Sequence, residues 1–277
     1  MIIDAHIHST GAEDAGEVLR SLDEAGVEIA VLLAPFLTDP YSLQDEESLD
    51  AGNEYLGNLV RSHEDRLVGF AVVNPRLDTA SQDLERAVEQ YGLRGLKLVP
   101  SGWYPYDDCA HEVYETALKF ELPILFHSGI FIDGRSGRFC RPVFYEAVRE
   151  HPGLKVTLAH LGWPWCDESN AVGVIDLING VKPEESQFRF DISFGPPPVY
   201  RKEVLTKALA VLGPEMLQFG SDRFLPCSGS HIRSMIEEVK TLLDELQVNH
   251  VDQEHIFYKT TSNWLGLEEK AISTENE

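Results

Sequence analysis

The feature that most constrains this chain is a regular alternation of two kinds of segment. Short β-rich apolar runs bounded by Gly, Pro or Asp recur eight times: "IIDAHIH", "IAVLLA", "LVGFAVVN", "LRGLKLV", "PILFHSG", "KVTLAHLG", "FRFDISF" and "LQFGSD". Between them lie amphipathic segments such as "DAGEVLRSLDEAG", "TASQDLERAVEQYG", "CAHEVYETALKFE", "RPVFYEAVREHPG" and "YRKEVLTKALAVLG". In the last four, apolar residues recur at helical spacing, and a Gly or "HPG" follows where a helix would stop. Strict βα alternation with near-continuous apolar strands implies a parallel sheet covered on both faces. Eight such units in about 250 residues are what a single-domain (β/α)8 TIM barrel of the α/β class requires. An open doubly wound sheet is the alternative, but the first strand–helix junction carries no GxGxxG loop and the runs show no break. The expected domain spans 1–267, with "SHIRSMIEEVKTLLDELQ" and "EHIFYKTTSNWLGL" as closing helices, and 268–277 is a polar C-terminal tail.

In a TIM barrel, chemistry sits at the C-terminal ends of the strands. There the chain places His6 and His8 on the first run, His127 on the fifth, His160 on the sixth and Asp222 on the eighth. Alternate residues of a strand face the same way, so His6 and His8 can offer two imidazoles to one ion. His127 and Asp222 would complete an N/O set that suits one divalent cation, zinc first and manganese or iron after it, with an open position for water. Such an ion lowers the pKa of bound water toward roughly 7, and Asp222 is placed to accept the proton. A single HxH carries little weight, because a histidine in a β-rich segment is more often a satisfied core or surface residue. The coincidence of five such residues at one rim is what points to a polar site. His63, His111, His151, His231, His250 and His255 fall in helical or loop segments and read as structural or solvated. Asp4 shares the face of His6 and His8 and is expected one layer deeper, as a hydrogen-bond acceptor.

Composition narrows the partner. The formal net charge of −23 repels nucleic-acid backbones and anionic membrane surfaces, leaving a small-molecule substrate. Apolar runs fall short of the roughly 20 residues a membrane helix needs, and no charged region precedes the first of them. Four scattered cysteines without a CxxC pair suit reduced thiols, so a soluble cytoplasmic protein is expected.

Taken in order, "DAHIH", the Lys of "GLKL", "ILFHSG", "LAHLGWPW", "FGSD" and the "NWLGL" ending resemble the amidohydrolase superfamily. They are most similar to its amidohydrolase-related (amidohydrolase 2) branch, which includes aminocarboxymuconate semialdehyde decarboxylase, and the likeness runs from Ile3 to about Leu267. The resemblance implies one catalytic divalent metal, usually zinc, on His6, His8, His127 and Asp222. It also implies that His160 is a catalytic group that hydrogen-bonds the metal-bound water or the substrate rather than a tight ligand. In sister groups that bind two metals, a fourth-strand Lys can be carboxylated to bridge them, and Lys97 lies in the fourth run. A buried ammonium must be paired, so Lys97 can hold a substrate anion, bridge metals as a carbamate, or sit in a structural ion pair. One metal is the expected count. Members of the branch are often dimers, which leaves a homodimer open.

The segments after the strands are aromatic with interspersed arginines. Trp103, Tyr104, Tyr106, Phe131, Trp163 and Trp165 could wall a flat pocket, and Arg135, Arg138, Arg141 and Arg223 could supply a carboxylate fork. Singly, such residues more often pack a loop or sit on the surface. Together with Lys97, the residues expected to meet substrate are Trp103, Arg135, Arg138, Trp163 and Arg223, foremost Trp163 near His160 and Arg223 beside Asp222. The expected function is hydrolysis of a small, carboxylate-bearing amide, lactam or lactone by a metal-bound water. The alternative is non-oxidative decarboxylation of an aromatic or muconate-type acid on the same site. A non-catalytic metal-binding or sensor protein is the weakest reading, since every catalytic position of the resembled branch is filled.

Overall fold

A computed structural model describes residues 1–193 and 196–267. The polar tail 268–277 and part of the "FGPPPVY" loop lie outside the described residues. Strands β1 (Ile3–His8), β2 (Ile29–Leu33), β3 (Leu67–Val72), β4 (Gly95–Leu98), β5 (Ile124–Phe126), β6 (Val156–Leu158), β7 (Phe188–Asp191), β8 (Leu217–Gln218) and β9 (Arg223–Phe224) form one parallel sheet. Their order is β8-β7-β6-β5-β4-β3-β2-β1-β9. The eighth run of the sequence thus holds only β8, and β9 follows directly after its Asp222. β8 pairs with β7, β9 pairs with β1, and the chain between them bonds to β1 through Ala5 N–H to Phe219 O (3.0 Å) and Asp222 N–H to His6 O (2.8 Å). Both edges of the sheet therefore belong to one stretch of chain, and the sheet closes into a TIM barrel.

Helices α1 (Ala15–Ala25), α2 (Glu46–Val60), α3 (Ala80–Glu89), α4 (Asp108–Lys119), α5 (Cys166–Ile178), α6 (Pro198–Leu212) and α7 (Gly229–Glu245) cover the outside. The start of α1 shows why the sequence turns helical there. Asp14 accepts the Glu17 N–H (2.8 Å), Glu17 accepts the Asp14 N–H (3.2 Å), and Gly26 ends the helix at φ 76°. Val18, Leu22 and Ala25 then fall on one face and bury against the barrel. "RPVFYEAVREHPG" departs from the helical expectation, forming a 3₁₀ segment over Pro142–Glu150. Its buried residues, Pro142, Tyr145 and Val148, are spaced by three, the period of a 3₁₀ helix.

Strand alternation divides the side chains into two sets. Outward residues such as Leu32, Leu96, Leu98, Phe188 and Phe190 fill the layer under the helices. An inward apolar cluster gathers Val31, Leu33, Val68, Phe70 and Leu125 around Trp264, carried by the last helix, α8 (Thr260–Leu265). The Trp264 indole N–H donates to Lys155 O (3.3 Å), just before β6, and so plugs the N-terminal end of the barrel. Other inward positions are polar, among them Asp4, His6, His8, Lys97 and Asp191, every one buried.

Candidate active site

The inward polar residues converge at the C-terminal end of the barrel. His6 and His8 share a face of β1, with ring centroids 5.1 Å apart. Gly220 allows a close approach from the opposite side, because a Cβ there would lie 2.8 Å from the His6 Cβ. Asp222 and His160 are held in the left-handed region at φ 53° and φ 61°, and Leu161 follows at φ 48°. Such backbone costs about 1 kcal/mol or more per residue and persists where the surrounding structure imposes it. Two of the five residues expected to form the site therefore sit on strained backbone.

A chain of short contacts links the cluster. His6 Nδ1 lies 2.6 Å from Asp191 Oδ2, and His6 Nε2 lies 3.2 Å from Lys97 Nζ and 3.3 Å from Asp222 Oδ1. His8 Nε2 lies 3.1 Å from the same Asp222 oxygen. His160 Nδ1 meets Ser193 Oγ at 2.9 Å, and its ring lies 5.4 Å from that of His6 and 5.2 Å from that of His127. Beneath the cluster Asp4 accepts the N–H groups of His6 (3.1 Å) and Ser221 (2.9 Å).

Burial sets the charge states. It pushes His6 down to about 4, aided by the nearby Lys97 charge, and it lowers His8 and His127 as well. Neutral imidazoles are the form that ligates metals. Burial also brings Lys97 down to about 8, against the pull of Asp222 and Asp191. For Asp222, burial acts to raise the pKa, but His6, the His8 hydrogen bond and His160 outweigh it and hold the carboxyl well below its usual range. Asp4 has no such company, and burial pushes it up to about 7.

The donor set suits a divalent cation. His6, His8 and Asp222 offer ligand atoms within 4.8 Å of one another, and so do His6, His160 and Asp191. His127 stands outside both groups, yet its Nε2 is buried with no hydrogen-bond partner among the described residues. A buried nitrogen left open in this way is costly unless something absent from the protein chain uses it.

Above the cluster opens a cavity of about 320 Å³. Lys97, Arg135 and Trp163 line it, as the sequence suggests, together with His8, His127, His160 and Asp222. Two ring stacks are among its lining: His127 on Phe131 (4.2 Å, 14°) and His8 on Phe224 (4.6 Å, 8°). Three of the expected substrate residues lie elsewhere. Trp103 is 2% exposed and packs in the outer core, because its large apolar ring gains more from burial between barrel and helices. Arg138 is exposed and stacks over Phe139 at 4.4 Å. Arg223 is turned away by alternation along β9, so that Phe224 takes the cavity wall instead. Tyr104 and Tyr106 stack on each other and meet Phe144 edge-on, and Arg141 pairs with Glu168 over Trp165, all outside the cavity. The sequence reading missed Asp191, Ser193, Phe36 and Phe224. Asp191 carried a usable signal, since it closes the apolar run "FRFD" at the level of the rim.

The amidohydrolase family model matches residues 3–267, and this chain belongs to that family. No curated protein matches it by sequence. Among solved structures it is similar to 5-carboxyvanillate decarboxylase from Sphingomonas paucimobilis, at 17% identity and a TM-score of 0.65 over 96% of this chain and 99% of that one. The Novosphingobium aromaticivorans 5-carboxyvanillate decarboxylase, complexed with manganese and 4-hydroxy-3-methoxy-5-nitrobenzoic acid, is 12% identical with a TM-score of 0.67, covering 96% of each chain. A dihydroxybenzoic acid decarboxylase from Polaromonas sp., with bound manganese and the inhibitor 2-nitroresorcinol, is 16% identical with a TM-score of 0.65, over 98% of this chain and 99% of that one. At these identities the likeness is one of fold. Among the described residues no helix is long and apolar enough to cross a membrane.

Proposed function

We propose that the protein is a metal-dependent, non-oxidative decarboxylase of a flat, unsaturated carboxylic acid, and in particular of an aromatic acid. The observation that carries this reading is the cavity itself. Two ring stacks, His127 on Phe131 and His8 on Phe224, line it together with a buried lysine, a lining that suits a planar ring bearing a carboxylate. The fold's likeness to three aromatic-acid decarboxylases supports the same choice over hydrolysis of an amide or lactone.

The chain's own residues supply binding, orientation and protons. Lys97, which lines the cavity, draws the carboxylate inward against the acidic bulk of the protein, with Arg135, paired to Asp133 at 2.7 Å, beside it. Phe131, Phe224, Trp163 and Phe36 exclude water, an environment that disfavours the charged acid and favours release of neutral CO₂. The bond between the ring carbon and the carboxyl carbon breaks, its electron pair stays on the ring carbon, and one proton must reach that carbon. His160 is placed to deliver it, since Ser193 engages Nδ1 and the ring faces the cavity. Asp222, whose carboxyl lies well below its usual range and which meets His8 Nε2 at 3.1 Å, is the weaker donor and serves as acceptor and ligand. A divalent cation held by His6, His8, His127 and Asp222, zinc or manganese, would supply Lewis-acid stabilisation of negative charge on the substrate.

The test loads stripped protein with zinc or with manganese and screens aromatic and muconate-type acids beside lactones and N-acyl compounds. CO₂ release from an acid, abolished by chelator, is the expected outcome. Turnover of a lactone or amide with no acid decarboxylated would put hydrolysis in its place.

A further inference from the structure

We propose that Asp191, at the C-terminal end of β7, is a positioning residue that fixes the tautomer of His6 and aims the His6 Nε2 lone pair into the cluster. The proposal rests on reading His6 as a metal ligand. It names a brace for that ligand on a strand where the sequence reading placed none.

Both ends of the ring demand the same tautomer. At one end, Asp191 Oδ2 lies 2.6 Å from Nδ1, and both side chains are fully buried. The other Asp191 oxygen already accepts the Ser193 N–H. A carboxylate with donors on both oxygens is an acceptor, so Nδ1 carries the hydrogen. At the other end, Lys97 Nζ lies 3.2 Å from Nε2. An ammonium has three donors and no lone pair, so Nε2 must provide one. Two independent neighbours thus select Nδ1–H with Nε2 open.

The consequence reaches Asp222. Its Oδ1 sits 3.3 Å from His6 Nε2, which places two acceptors face to face with no hydrogen between them. Such a pair is eased by a nearby cation: the Lys97 ammonium lies 3.2 Å from Nε2 and feels the Asp222 charge, and a divalent ion could serve in its place. Turning the ring over would give up the 2.6 Å contact of Nδ1 with Asp191, and Gly220 packs close at the base of the pair, where an added Cβ would lie 2.8 Å from the His6 Cβ and 3.3 Å from Asp191 Oδ1. The same turn braces a second ring, with Ser193 Oγ 2.9 Å from His160 Nδ1. Asp191 lies within ligand distance of His6 and His160, but with both oxygens engaged it acts as brace rather than ligand.

Nitrogen-15 spectra of the imidazoles in metal-free protein test this directly. In the wild type, the ring assigned to His6 by its loss in His6→Gln shows a protonated Nδ1 and a bare Nε2; the opposite tautomer overturns the proposal without any further variant. Asp191→Asn, which keeps shape and volume, shifts that ring toward the Nε2–H form and weakens zinc binding by about 10- to 100-fold in competition with a chromophoric chelator. An Asp191→Asn protein whose melting temperature falls while tautomer and zinc affinity stay within twofold of wild type assigns Asp191 a purely structural role and also overturns it. If wild-type protein with the stated tautomer binds no zinc, the ligand reading fails, and with it the aim the proposal gives to Nε2.

Discussion

Two histidine clusters, built from the same residue types, do different work. On the outer layer, His111 of α4 meets His151 nitrogen to nitrogen at 2.7 Å, and the other His151 nitrogen meets Glu115 at 2.8 Å. Tyr114 closes over the pair edge-on, at 5.3 Å from the His151 ring. Both His151 nitrogens have protein partners, and the chain runs out to an exposed carboxylate. At the barrel rim, His127 Nε2 has no partner among the described residues and His6 Nε2 faces an Asp222 oxygen, acceptor to acceptor. A completed hydrogen-bond chain stabilises the fold; an incomplete one is held ready for something the protein does not itself supply. The contrast also explains why counting histidines says little and why their leftover atoms say much.

The sharpest way to break the comparison is to remove an open nitrogen. His127→Ala is expected to cut decarboxylation by about three orders of magnitude, through loss of metal, while changing folding stability by no more than about 1 kcal/mol. Metal content by emission spectroscopy and a denaturant melt check the two halves. Next in size is Lys97→Met. Losing a charge-assisted contact of about 1.5–3 kcal/mol weakens binding of benzoate, as a probe carboxylate, by roughly 10- to 100-fold. Folding stability at neutral pH should change little, because relief from burying an ammonium offsets loss of the cation beside His6 Nε2 and Asp222. Calorimetry with benzoate reads the first effect and a thermal melt the second. For the outer cluster the expectation reverses: His151→Ala costs about 1–3 kcal/mol of stability by leaving its partners unsatisfied, with kcat unchanged when measured well below the melting point. Smallest of all, Arg138→Ala should alter kcat/KM by less than about twofold, in keeping with an exposed arginine stacked on Phe139 away from the cavity.

The barrel was legible in the sequence because each strand announces itself as an apolar run and each crossover as an amphipathic one. The rim residues were legible for the same reason: His6, His8, His127 and Asp222 interrupt or end runs that are otherwise apolar. What escaped was orientation. A sequence places Arg223 and Phe224 side by side, and only the register of β9 on β1 decides that the phenylalanine faces the cavity. Trp103 misled because an aromatic after a strand can turn into the loop or into the core, and burial of a large ring favours the core. Asp191 ends a strand run as those residues do, but a lone aspartate there belongs to no motif; its meaning comes from His6, 185 residues away in sequence and 2.6 Å away in space.

The central claim is that this rim breaks a carbon–carbon bond and returns a proton to carbon. Turnover in D₂O of the acid found by screening, with CO₂ counted and the product examined by NMR, tests it most directly. The account predicts one deuterium on the product carbon for each CO₂ released, and neither product in His127→Ala. Turnover that releases no CO₂, or that proceeds equally well in His127→Ala, would contradict it.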